Sequence, residues 1–231
     1  MKKETLARLK TQSIPSKKDE EWRYTNIKPL IQKCFELATK NSISNLKKDK
    51  PFIQNHSDNN IFIYYADGHF CFMGNLPSYI KTLRTSEDQM IFQTLLNYDV
   101  EKIHTPFADL NTLMLSDVLM IETLKNQKID ATVHIIICSD VEQNINPRLL
   151  VRLRENSSIR IFEHYLTSNS CVINSLTDIN CEKNSQLDYY KIIDEQEQGY
   201  HLSLSNIRLA RNSYLNLFSW DCGANISRNN I

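Results

Sequence analysis

Between residues 151 and 217 apolar and polar positions alternate in short runs, and one such run recurs three times at a fixed spacing. Asn156-Ser157, Asn184-Ser185 and Asn212-Ser213 lie 28 residues apart, and the residues around each pair align without a gap. Five positions before the Asn stand Val151, Ile179 and Ile207, and three before it Leu153, Cys181 and Leu209. Three positions after it come Ile159, Leu187 and Leu215, and five after it Ile161, Tyr189 and Leu217. The positions between read Arg152, Asn180, Arg208, then Arg154, Glu182, Ala210, then Arg160, Asp188, Asn216, so that eight of nine are polar. Alternation on both sides of a polar pair predicts two short strands, each with one buried face, joined by a turn. Asn suits that turn because it tolerates a left-handed backbone, and Ser because its hydroxyl bonds nearby backbone groups.

Recurrence at constant period adds that equivalent positions stack as rungs of a parallel solenoid, each unit burying its apolar side against its neighbours. One unit has an extended contour of roughly 90 Å, enough for one coil of a β-helix. Leu153, Cys181 and Leu209 are then one interior column. Just past the second strand the apolar phase changes, at Phe162 and His164, Tyr190 and Ile192, Phe218 and Trp220. Two readings are open: a corner or bulge at 161–162 that swaps the buried face, which is preferred, or an outward aromatic ladder available to a partner protein.

Upstream the pattern is mixed. Residues 3–12 predict a short helix with Leu6 and Leu9 on one face, stopped by Ile14-Pro15. Residues 28–40 predict a second helix, with Pro29 in its first turn and Leu30, Ile31, Cys34, Phe35, Leu37 and Ala38 as its apolar stripe. Residues 40–60 are polar and read as a loop. Residues 61–65 and 70–73 predict a hairpin about a turn at 66–69. Ser86 with Gln89 matches a capping box for a helix carrying Ile91, Leu95 and Leu96. Thr105-Pro106 opens another helix, ending near Asp117, with Phe107, Leu110, Leu113, Met114 and Val118 at helical spacing. Residues 118–123 and 131–138 then predict strands around a turn-like segment at 125–128. The expected organisation is a helical, α+β region over 1–125 followed by an incomplete parallel β-helix over 126–231.

The chain has 231 residues, 27 basic and 27 acidic, so no net charge draws it toward nucleic acid or anionic lipid. Its start lacks the apolar core of a signal peptide, the acidic Glu4, Asp19, Glu20 and Glu21 disfavour a transit peptide, and no run of about 18 apolar residues occurs. A soluble cytoplasmic protein is the expectation. The six cysteines form no C-x-x-C pair and predict no disulfide framework; Cys181 reads as a small core residue. Four glycines leave no phosphate loop. His56, His69, His104, His134, His164 and His201 show no metal-ligand spacing, and His164 reads as a buried, hydrogen-bonded side chain.

One linear motif stands out, Pro15-Ser16-Lys17-Lys18-Asp19-Glu20-Glu21-Trp22-Arg23-Tyr24-Thr25. By composition it is a charged linker anchored by Trp22 and Tyr24. It is similar to the amino-terminal P-x-x-x-[DN]-E-x-W-[RK]-[YF]-T signature of the SufD scaffold family of SUF iron-sulfur cluster assembly. Phe107-Ala108-Asp109-Leu110-Asn111 resembles that family's F-x-x-L-N element, and Ile129 to Ile137 its first β-helix strand. Arg211-Asn212-Ser213 and Cys222-Gly223-Ala224-Asn225-Ile226-Ser227-Arg228 resemble its R-[DN]-S and G-x-x-[LI]-S-R segments. The resemblance covers essentially the whole chain. It implies an amino-terminal helical region before a right-handed parallel β-helix, and association with the scaffold SufB and the ATPase SufC in a complex that handles the iron-sulfur cluster. It implies no enzymatic activity for the scaffold alone. The sequence stops at Asn229-Asn230-Ile231, where such a β-helix would continue, so the family's cysteine and histidine chemistry and SufC dock have no matching positions. Accordingly no catalytic or metal residue is assigned, and no cofactor-binding residue is named. An unpaired last coil predicts homodimerisation near 207–220 or aggregation. Two alternatives compete: a β-helix enzyme acting on a polysaccharide, which expects stacked carboxylates, and a shortened remnant without assembly activity.

Overall fold

The computed structural model describes residues 2–38, 59–66, 68–72, 74–84, 105–139, 141–167 and 170–231. The helix expected from Ser86 and most of the loop expected over 40–60 fall outside them. Among the described residues, three helices, α1 (Lys2–Thr11), α2 (Lys28–Ala38) and α3 (Pro106–Met114), and a 3-10 turn at Glu20–Trp22 accompany thirteen strands. The strands are β1 (Asn60–Ala66), β2 (His69–Phe72), β3 (Ile80–Arg84), β4 (Asp117–Glu122), β5 (Lys128–Ser139), β6 (Asn144–Ile145) and β7 (Arg148–Leu153). They continue as β8 (Ser158–Thr167), β9 (Val172–Cys181), β10 (Gln186–Asp194), β11 (Tyr200–Leu209), β12 (Tyr214–Cys222) and β13 (Ile226–Asn230).

Two facing sheets result. The first runs β12-β10-β8-β5-β1-β2 and the second β13-β11-β9-β7-β4-β3; from β7 onward successive strands alternate between sheets, and the chain winds a β-solenoid of about four turns. Pairing along the solenoid is parallel, with Leu187 beside Ile159 and Leu215, and Ile179 beside Val151 and Ile207. Leu153, Cys181 and Leu209 do form one column; the first two are 0% exposed and Leu209, on the last coil of its sheet, is 51% exposed. Burial pushes the Cys181 thiol up to about 11, as an apolar site must. At the other end β2 pairs antiparallel with β1, and β3 with β4.

The Asn-Ser pairs are the turns. Asn156, Asn184 and Asn212 have φ of 58°, 58° and 57°, the left-handed region where Asn costs least among residues with a Cβ. Ser157, Ser185 and Ser213 donate to the carbonyls three residues back, at 2.6, 2.6 and 2.7 Å. The Asn amides also join coil to coil, Asn184 Nδ2 donating to Asn156 Oδ1 at 2.9 Å and Asn156 Nδ2 to Asn126 Oδ1 at 2.8 Å. Asn126, with φ 62°, is a fourth rung that the 28-residue spacing does not reveal. The reason is a bulge in β5, where the offset between partners falls from 30 at Lys128 and Ser158 to 28 at Thr132 and Arg160.

Two expectations need correction. No corner lies at 161–162: β8 runs unbroken, with Ile159, Ile161, Glu163, Tyr165 and Thr167 buried on one side and Phe162 on the other. The apparent change of phase arises because the interior turns polar while the exterior turns aromatic. Helix α3 ends at Met114, not near Asp117, because Leu115 is already extended and Val118 is buried in β4. No helix among the described residues is long and apolar enough to cross a membrane.

The turn before β13 places backbone against backbone. Gly223 has φ +86°, and a Cβ there would lie 1.8 Å from the Glu195 carbonyl oxygen of the preceding coil. Gly223→Ala should therefore lower stability by about 3 kcal/mol or more, from strain and clash together. Gly74→Ala, also at positive φ but with nothing within 4 Å of its Cβ, should cost about 1 kcal/mol. Urea midpoints followed by circular dichroism compare the two.

Candidate functional site

Three places concentrate polar or aromatic chemistry. The first is inside. On the interior face of the first sheet Ile135, Glu163, Lys191 and Ser219 stand in register, so a carboxylate and an ammonium occupy positions held by Ile in the earlier coil. Glu163 and Lys191 are both about 2% exposed, with Nζ 3.5 Å from Oε2. Burying such charges is tolerable only if every oxygen and proton finds a partner. Tyr165 Oη donates to Glu163 Oε1 and Tyr189 Oη to Oε2, each at 2.6 Å, and Lys191 Nζ donates to Ser203 Oγ on the facing sheet. Burial, with Glu163 beside them, pushes both phenols well above their ordinary range, so they remain donors. Further along the interior, His201 Nδ1 lies 2.7 Å from Glu195 Oε1, the imidazole edge-on to Tyr165. Sequence alternation alone could have found Glu163 and Lys191, which lie 28 residues apart on the inward parity once no corner is assumed.

The second place is outside. Phe62, His134, Phe162, Tyr190 and Phe218 share one register across five strands. Their rings follow one another at 4.8, 5.2, 4.5 and 6.4 Å, the last pair tilted. Beside them run Tyr64, Ile136, His164, Ile192 and Trp220. The outward ladder is thus the correct alternative of the two. His164 is buried, as expected, and its Nε2 lies 3.3 Å from His134 Nδ1, while His134 Nε2 lies 3.3 Å from Asn60 Oδ1. Burial and the His134 ring bring the His164 pKa down to about 4, and burial lowers that of His134 too. The ladder becomes solvent-exposed on its last rung, where Phe218 and Trp220 are 54% and 52% accessible.

The third place gathers the residues singled out by motif. Trp22 is buried against Phe107, with ring centres 5.5 Å apart, and the Arg228 guanidinium sits 4.1 Å over its indole. Asn111 is fully buried at the end of its own motif, its Nδ2 donating to Pro147 O at 3.2 Å and Asn174 O at 2.7 Å. Arg8 of α1 pairs with the buried Asp109 of α3 at 3.0 Å. These groups fasten the helices to the outer face of the second sheet, where Trp22, Ile27 and Leu30 pack on Val172, Tyr200 and Leu202. Tyr24, expected to anchor with Trp22, is instead 91% exposed beneath Arg23.

Among the described residues, two outward columns would distinguish a carboxylate stack, and neither carries one. Arg160, Asp188 and Asn216 share one register, and Arg154 lies between Glu122 and Glu182. In both columns each carboxylate therefore sits beside a basic or neutral side chain, not beside another carboxylate. Among the described residues no three His, Cys, Asp or Glu side chains converge as metal ligands.

Residues 136–231 match the family model described as SUF system FeS cluster assembly, SufBD core domain. The chain is also 24% identical, over 237 residues, to an iron-sulfur cluster assembly SufBD family protein of Synechocystis sp.. Both matches are to SufBD proteins of iron-sulfur cluster assembly. That alignment takes in 94% of this chain and 52% of the relative, so the chain spans about half the length of the curated relative it matches. The SufBD core match begins inside β5 and takes in all of the Asn-Ser turns from Asn156 onward, the Glu163–Lys191 pair and the exposed end of the ladder.

Two outcomes follow from the polar groups. Glu163→Ala should destabilise by about 3–5 kcal/mol, because it leaves the Lys191 ammonium and two tyrosine hydroxyls buried without their acceptor. Glu163→Leu with Lys191→Met should recover most of that loss in urea denaturation. The second concerns pH. His164 accepts its proton only near pH 4 when folded but near 6.5 when unfolded, so between those values the unfolded chain binds more protons. Stability should be full above pH 6.5 and fall as pH drops toward 4. In His164→Phe the slope of melting temperature against pH over that window should be shallower.

Proposed function

We propose that the chain is a SufD-like scaffold component of iron-sulfur cluster assembly, working in the cytoplasm by association with a SufB-like scaffold and a SufC-like ATPase. The observation that carries this reading is the coincidence of the SufBD core match with the stacked coils, whose last rungs present Leu209, Tyr214, Phe218 and Trp220 to solvent. Strands β12 and β13 stand at the ends of their sheets. A strand at a sheet end offers unpaired backbone groups, and apolar rings beside it add area, which together favour addition of further strands. The scaffold itself holds partners and performs no chemistry alone. Iron, sulfide and cluster are cargo of the assembled complex.

Co-purification tests this. Tagged full-length chain expressed with SufB-like and SufC-like proteins should retain both, and Phe218→Asp with Trp220→Asp should reduce retention of the SufB-like protein at least several-fold while circular dichroism stays unchanged. Retention of neither partner by the unaltered chain would favour the shortened-remnant reading instead. Light scattering of the chain alone reports whether the same end pairs with a second copy, which would appear as a concentration-dependent dimer near residues 207–220.

A further inference from the structure

Where α1, α2 and α3 meet the outer face of the second sheet they enclose a pocket of about 340 Å³. Its walls are mostly apolar, among them Leu9, Leu30, Ile31, Phe107, Leu110 and Val172, and none of the described residues lining it is acidic or basic. Burial pushes the lining Cys34 thiol up to about 11, so that group too is uncharged at neutral pH. The amides of Gln12, Asn144, Asn146 and Asn174 break the apolar surface. Asn144 Oδ1 and Gln12 Oε1 are buried and have no hydrogen-bond partner among the described residues. Both are carbonyl oxygens, and both belong to residues lining this pocket. Asn144 is held in place by its other end, Nδ2 donating to Cys34 O at 3.0 Å, so its oxygen cannot exchange places with the nitrogen without losing that bond.

A volume above about 300 Å³ with mostly apolar walls and a few fixed polar atoms is the usual form of a small-molecule site. Buried acceptors left unmatched are costly, and a ligand that donates to them recovers that cost. Unmatched acceptors favour a donor, and a predominantly apolar wall disfavours an ion. We propose that this pocket binds an uncharged, largely apolar small molecule carrying a hydroxyl or N–H donor, of the alkylphenol or long-chain alcohol class, which donates to Asn144 Oδ1 or Gln12 Oε1. The site lies on the helical side of the molecule, away from the last rungs of the solenoid, and is independent of the partner reading above. A bound molecule bridges all three helices and the sheet, so occupancy stabilises their attachment.

The test uses the full chain with 4-butylphenol and 4-butylanisole, which match in size but differ in the donor. Titration calorimetry should show saturable one-to-one binding of the phenol, with the anisole about tenfold weaker, the difference expected for one donor to a buried acceptor. The phenol should also raise the melting temperature. Leu110→Trp and, at the rim, Met114→Trp fill the pocket and should abolish binding with far-UV dichroism unchanged. If either variant fails to fold, the methyl signal of Met114 in the unaltered chain, shifted by phenol in a saturable manner, serves in its place. No saturable binding of the phenol, equal affinity for the anisole, or binding unaffected in folded pocket-filled variants would each overturn the proposal.

Discussion

Coil-on-coil registration is the constraint from which the rest of the structure follows. A backbone that leaves one sheet must reach the other and return in a fixed number of residues, or every partner in the next coil slips by one and turns its side chain to the wrong face. The left-handed Asn at 156, 184 and 212 sets that length, and the amide ladder through Asn126, Asn156 and Asn184 ties each turn to the next. Once the turns are fixed, parallel pairing satisfies the backbone of all interior coils and only the ends need separate treatment. At one end β2 and β3 reverse direction and pair antiparallel. At the other the sheets finish on β12 and β13.

Registration also explains how the interior can carry charge. In the first coils the column at Ile63 and Ile135 is aliphatic, and its place is taken by Glu163 and Lys191 further on. A parallel ladder holds these two side chains one above the other, and the facing sheet supplies Ser203 at the same level. Tyr165 and Tyr189 complete the carboxylate's partners. Such a pair adds little net stability over an aliphatic one, but a slipped coil would leave it unmatched, so it penalises wrong register more heavily than leucine would. Outside, the same register stacks rings from Phe62 to Phe218.

How much of this the sequence discloses depends on whether a feature repeats. The turns, the alternation and the column at Leu153, Cys181 and Leu209 repeat at 28 residues and are legible directly. Asn126 is not, because the bulge between Lys128 and Thr132 offsets it by two. The course of β8 misleads for a different reason: hydrophobicity marks the inside only while the inside is apolar, and Glu163, Lys191 and Ser219 reverse the sign. Parity counted from Ile159 and Ile161 stays correct throughout. The pocket between helices and sheet has no linear signature at all, since its walls come from five separate stretches and its polar atoms from Asn and Gln residues that look ordinary in sequence.

The motif residues that suggest a family are largely those that attach one layer to another. Trp22 from the first motif, Phe107 and Asn111 from the second and Arg228 from the last converge on the outer face of the second sheet, and Gly223 allows the last coil to close against Glu195. Each does something a similar residue could not. Asn111 reaches two carbonyls with one amide, Trp22 offers a face broad enough for both Phe107 and a guanidinium, and Gly223 alone has room beside the Glu195 carbonyl. None of these residues carries a nucleophile or general base poised over an open cleft. The relative placement of helices and coils is set by these joints. Residue identity is therefore most constrained there, which is where the motif residues lie.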